Sequence, residues 1–182
     1  MSDIFRRAKF CMDTSCLIEA KNRYYAFDIV PQFWDVLLKA CKQDILKMPI
    51  AVYEEIMEGN PDDSLVRWAK RHKELLFAEL TEKTFEIVKE IISLVYSKYA
   101  PHRAEAFLKT RDIDIIAFAK ENKLVLVTME KPKVLTHSAG ADGKYDAEVK
   151  IPDVCSMLNP PVECIDTFEF LRRLKREHRI SM

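Results

Sequence analysis

Glycine is scarce, with 3 residues in 182, which nearly excludes the glycine-rich loops that cradle phosphates through backbone N–H groups. Net charge is absent too. The 29 Lys and Arg balance the 29 Asp and Glu, so a general nucleic-acid coat is excluded and any nucleic-acid binding must come from a local basic patch. No apolar run reaches the roughly 18 residues that a membrane span needs. The five cysteines (Cys11, Cys16, Cys41, Cys155 and Cys164) form no CxxC pair. Their odd count and the lack of a signal peptide predict reduced thiols in a cytoplasm. His72, His102, His137 and His178 show no zinc spacing with the cysteines and read as surface or structural residues, with His137 alone in a suggestive loop. Internal repeats and low-complexity tracts are also missing.

What the chain does contain is a core-forming composition, 48% hydrophobic and 32% charged, as expected of a globular protein. Its length predicts one domain, residues 1–182. Short apolar runs alternate with longer amphipathic ones. Lys9 to Met12 reads as a buried strand, with Thr14 or Ser15 capping the helix that follows. Phe33 to Cys41 reads as a buried helix, Met48-Pro49-Ile50 as a second strand, and Leu65 to Phe77 as a helix. Thr81-Glu82 opens another helix, which runs to about Tyr99 and is broken at Pro101. A short helix over Arg103 to Leu108 precedes one that begins at Asp112. Leu124 to Val127, apolar on both faces, reads as a central parallel strand. Residues 131–147 are polar and read as a long loop, a kind of segment that is often functional or mobile. Val149 to Ile151 is expected as an edge strand stopped by Pro152, and Phe168 to Ile180 as a basic helix. The alternation predicts an α/β protein with helices layered on a mostly parallel sheet of four or five strands.

Four acids stand at the ends of these segments: Asp13, Glu55, Asp112 and Glu130. In open α/β sheets the carboxyl ends of strands are where ligands bind. Carboxylates do not gather there for stability, because like charges repel and desolvation is costly. Such a cluster calls for a cation, and a cation held by carboxylates points to phosphate chemistry. Each acid also has a plainer reading. Asp13 could be a helix cap, Glu54 or Glu55 a solvated helix-start carboxylate, and Glu130 a first loop residue. Helical phase favours Glu55 over Glu54, since Glu55 joins the stripe of Val52, Ile56 and Gly59. It favours Asp112 over Asp114, since Asp112 heads the stripe of Ile115, Ile116 and Ala119. Asp114 is then left to support the site from behind or to pair with Arg111.

Phe10-Cys11-Met12-Asp13-Thr14-Ser15, Val52-Tyr53-Glu54-Glu55-Ile56, Asp112 to Ala119 and Val125 to Glu130 together resemble the PIN domain, a family of metal-dependent ribonucleases. The match spans about residues 9–154 in the family's order and spacing. Arg23-Tyr24-Tyr25, Phe33-Trp34 and Ile151 to Cys155 resemble an uncharacterised prokaryotic PIN-like subfamily, regarded as toxin-like relatives of VapC. Glu130 departs from the pattern, standing where most members have Asp, and the loop after it is longer than usual.

The resemblance implies a PIN-like α/β/α fold, with a C-terminal helix over about residues 165–180. It implies that Asp13, Glu55, Asp112 and Glu130 bind one or two Mg²⁺ or Mn²⁺ ions, with Thr14 or Ser15 orienting a ligand or water. Asp114 and Thr128 then stand behind the ligands. The implied activity is endoribonuclease cleavage leaving a 5′-phosphate and a 3′-hydroxyl. The implied partners are an RNA substrate, an antitoxin protein and a second copy of the chain. Lys109, Arg111, Lys131, Lys133 and Lys144 flank the acids and are candidates for RNA-backbone contacts, with ordinary surface charge as the alternative. Tyr24, Tyr25 and Trp34 are candidates for base stacking, with core packing as the alternative. The Arg172 to Arg176 run fits a solvated helix whose Phe168, Leu171 and Leu174 dock. Two rival functions stay open: a non-catalytic module of the same fold that binds RNA or protein, and a nuclease acting on structured DNA.

Overall fold

The computed structural model describes residues 9–134, 139–140 and 143–182; His137 and part of the 131–147 loop lie outside them. Phe10–Met12 forms β1, whose three side chains are all fully buried. A strand with no polar face must be covered on both sides, and β1 lies at the centre of the sheet. It pairs in parallel with β2 (Leu46–Pro49) on one edge and β4 (Val125–Val127) on the other. Two-residue strands complete the edges, β3 (Phe77–Ala78) beside β2 and β5 (Cys164–Ile165) beside β4. The order is β3-β2-β1-β4-β5, and every pairing is parallel. The chain therefore reverses direction across the sheet between β1 and β4, and their carboxyl ends frame the switch-point crevice.

The helices that lead into and out of this sheet follow local chemistry. After β1 come α1 (Thr14–Glu19) and a π-helical turn (Ala20–Tyr24), then α2 (Pro31–Lys42). α3 (Ile50–Met57) follows β2 directly. α4 (Ser64–Arg71) starts at Asp63, whose side chain accepts the Leu65 N–H, and α5 (Lys73–Leu76) precedes β3. α6 (Glu82–Lys98) begins with a reciprocal cap between Thr81 and Thr84, which satisfies two otherwise orphaned N–H groups. α7 (Pro101–Leu108) has Pro at its first position, where the missing N–H costs nothing.

α8 (Asp112–Asn122) is the central helix, packed on β1, β2 and β4 and beneath α6. Ile113, Ile115, Ile116, Ala117, Phe118 and Ala119 are all buried, so it is apolar nearly all round. It ends with Lys123 in the left-handed conformation (φ 55°), which turns the chain straight into β4. α9 (Ile151–Met157) contacts α6 and α8, while α10 (Thr167–Arg173) brings Phe170 edge-on to Phe10 at 5.0 Å.

Several expectations are corrected. The single helix expected over Leu65 to Phe77 is two helices and an edge strand. Val149 to Ile151 is not a strand. Ile151 opens α9, and Pro152 sits in the first turn, where it is compatible with helix. The C-terminal helix is α-helical only to Arg173, continues as a π-helical turn over Leu174–His178 and stops at Arg179, again left-handed. Neither Thr14 nor Ser15 caps α1; Asp13 occupies that position. The five cysteines are free, four of them buried. Among the described residues no helix is long and apolar enough to cross a membrane.

Candidate functional site

Asp13 leaves β1 at the switch point, its N–H bonded to the Val127 carbonyl at 2.9 Å. It is 3% exposed and its side chain makes no capping bond to α1. Instead Oδ2 accepts from the Ser15 hydroxyl and, at 3.0 Å, from the Thr128 hydroxyl. Thr128 is buried just past β4, and its hydroxyl oxygen in turn accepts the Glu130 N–H at 3.1 Å. Burial pushes the Asp13 carboxyl up to about 6; the two hydroxyls work against this, while Glu130 and Glu55 add to it.

Glu55 comes from α3 and Asp112 from the first turn of α8. The Thr14 hydroxyl donates to Glu55 Oε2 at 2.6 Å. Asp112 is pushed up to about 7, first by burial and then by Asp13 and Glu130, with Glu55 adding a smaller push and the Thr110 hydroxyl opposing. The four acids thus come from four separate stretches of chain, and the charges of Glu55 and Glu130 act on both Asp13 and Asp112. Among the described residues, no ion pair is formed by Asp13, Glu55 or Asp112.

The neighbouring acids turn elsewhere. Glu54 is exposed and pairs with Arg111, which also reaches Glu58 at 3.3 Å. Asp114 is half-buried, and the charges acting on it are Arg111 and Glu54 rather than the cluster. Glu54 and Asp114 thus face Arg111, whereas the charge of Glu55 acts on Asp13 and that of Asp13 on Asp112.

Glu130 differs from the other three. Its Oε1 accepts from the Lys150 ammonium at 2.8 Å, and its Oε2 accepts the Ile151 N–H, the first of α9, at 2.8 Å. Lys150 also donates to Glu148 at 2.8 Å, and Glu148 is shared with Lys133. Burial disfavours the Lys150 charge, but Glu130 and Glu148 outweigh it and raise its pKa. Nearby, buried Asp153 accepts the backbone N–H groups of Lys133 and Val134, fastening the start of the long loop to α9. Sequence reading missed Lys150, Glu148 and Asp153. They lie 18 to 23 residues beyond Glu130, across a loop that carries no periodicity.

The basic candidates are mostly engaged. Arg111 holds Glu54, Lys133 holds Glu148, and Lys144 donates to the Tyr96 carbonyl. Lys109 is exposed, and Lys131 is exposed at 4.0 Å from Asp166. Among the aromatics, Trp34 stacks on Phe27 and donates to the Tyr25 carbonyl, and Tyr25 stacks on Phe33. Tyr24 stays 45% exposed, edge-on to Phe168. Two cavities flank Glu130. One, of about 390 Å³, reaches Thr128, Lys131 and Asp166. The other, of about 240 Å³, is lined by Arg103, Thr110, Asp112, Glu130, Glu148 and Lys150.

A five-stranded all-parallel sheet with helices packed against it is a PIN-like α/β/α fold. Residues 10–178 match the family model described as a domain of unknown function, DUF4411, and the chain belongs to that family. A chain from the crystal structure of DNA-bound VapBC from Salmonella typhimurium shares the fold, with a TM-score of 0.50 and 13% identity over 87% of this chain and 98% of that one. No curated protein matches the sequence.

Proposed function

We propose that the chain is a metal-dependent endoribonuclease that hydrolyses RNA phosphodiester bonds and acts as the toxin of a toxin–antitoxin pair. The observation that carries this reading is the gathering of Asp13, Glu55 and Asp112 at the switch point without a Lys or Arg partner among the described residues. Two of them are held far above the usual carboxylate range, a cost that a cation would remove. The donor set is entirely oxygen, which suits Mg²⁺ or Mn²⁺. Asp13, Asp112 and Glu55 would hold the ion, with Glu130 beside them. When bound, it would offset charge developing on the phosphate and make water a better nucleophile.

The chain's own groups prepare the site. Ser15 and Thr128 fix the Asp13 carboxylate, and Thr14 fixes Glu55. Lys109 and Lys131, both exposed, are available to the RNA backbone. The fold shared with a VapBC chain supports an antitoxin partner, and the same reading includes a homodimer.

A second reading rests on a specific observation. As placed, no three His, Cys, Asp or Glu side chains among the described residues could hold a metal ion. That geometry favours a non-catalytic module binding RNA or protein; the nuclease reading requires Glu55 or Asp112 to swing inward when the ion arrives. Purified protein incubated with mixed RNA and Mn²⁺, beside Asp13→Asn and an EDTA control, separates the two. Cleavage by the wild type alone is expected. Cleavage that survives both the substitution and chelation would sink the acid-cluster mechanism, and parallel DNA substrates test the structured-DNA alternative.

A further inference from the structure

We propose that Lys150 contacts the scissile phosphate, and that Glu130 is its positioning residue rather than a metal ligand; this rests on the nuclease reading above. Both Glu130 oxygens are already used, one by the Lys150 ammonium and one by the Ile151 N–H, each at 2.8 Å. A divalent ion bound to that carboxylate would sit against a fixed ammonium, and like charges at such range repel strongly.

Lys150 is also placed to do something. Its side chain is 19% exposed and lines the cavity of about 240 Å³ whose wall includes Asp112. An ammonium has three donors, and two of them go to Glu130 and Glu148. Glu148 is 54% exposed and has a second partner in Lys133, so it can release Lys150 without being stranded. The other cation lining the cavity, Arg103, is tied to Asp146. A phosphodiester approaching Asp112 carries a negative charge toward negative charge. Lys150, the more buried of the two cations on that wall (19% exposed against 41%), can donate its remaining N–H to a non-bridging phosphate oxygen there.

The experiment combines Mn²⁺ calorimetry on the full chain with steady-state cleavage of RNA. Glu130→Gln is expected to bind Mn²⁺ within about threefold of wild type, whereas Asp112→Asn weakens binding by at least about tenfold. Lys150→Gln is expected to lower kcat by about 10²-fold, leaving KM and the melting temperature near wild type. Lys150→Arg recovers part of that loss, because it restores the charge. The double variant Lys150→Gln/Glu130→Gln is no slower than Lys150→Gln alone, since one residue acts through the other. Weakening of Mn²⁺ binding by Glu130→Gln to the level of Asp112→Asn would overturn the assignment of Glu130. A Lys150→Gln protein that cleaves like wild type, or whose loss follows its melting temperature, would overturn that of Lys150. If the wild type cleaves no RNA, the nuclease reading fails and the phosphate contact with it, while calorimetry still decides the role of Glu130.

Discussion

At Asp13 the cap position of α1 and the ends of two parallel strands coincide, and the side chain turns to the hydroxyls of Ser15 and Thr128 rather than to the backbone N–H groups of the helix. Local propensity favours capping, so the geometry departs from it where a ligand site is expected. The Glu54–Glu55 pair gives the sharpest test at this scale. Glu54→Gln removes an exposed pair with Arg111 and is expected to keep kcat/KM within about threefold, since such pairs contribute little. Glu55→Gln is expected to lose about 10²-fold in kcat/KM on RNA with Mn²⁺. Equal losses would remove the basis for choosing between them. The sequence pattern separates the two because α3 has a buried side, marked by Val52 and Ile56, and an exposed one at Glu54. The pattern separates Asp112 from Asp114 less sharply. Ala117 and Phe118, on the Asp114 side, are as buried as Ile115 and Ile116. What separates the two acids is the charge each one meets, and that depends on where Arg111 is drawn by Glu54, which comes from α3.

Among the elements, α8 and β4 were readable because each carries an uninterrupted apolar signal. β3 and β5 were not, since two residues hold no period. Val149 to Ile151 has the composition of a strand, but its extension is limited by a proline that suits the first turn of a helix. The junction between α8 and β4 has a cost that can be measured. Lys123 adopts φ 55°, a conformation that disfavours side chains with a Cβ by roughly 1 kcal/mol. Lys123→Gly is therefore expected to raise unfolding stability by about 0.5–1 kcal/mol in a urea titration, without touching the crevice. A loss of stability would mean that the Lys side chain does more at this turn than its backbone conformation reveals.

For the molecule as a whole, the acid crevice should set how stability follows pH. Asp13 and Asp112 have folded values of about 6 and about 7, above the roughly 3.9 of an unfolded Asp. The folded state therefore binds more protons, and the stability these groups contribute is fully present below about pH 4 and lost as pH rises through 6 and 7. Acids with lowered values, such as Glu148 at about 2, act in the opposite direction but stay ionised above pH 5. Thermal melts in EDTA should thus fall between pH 5 and 7.5, less steeply for Asp112→Asn, and Mn²⁺ should raise the melting temperature more at pH 7.5 than at pH 5. A flat profile in EDTA would mean that the carboxylates are not coupled as described. The position of β1 has one more consequence, in the order of events during synthesis. Asp13 is made well before its Thr128 partner, 115 residues later, and the strand beyond β4 ends at Ile165. Parallel pairings over such separations close late and slowly. A ribosome carrying most of this chain would hold all four acids, yet no assembled crevice.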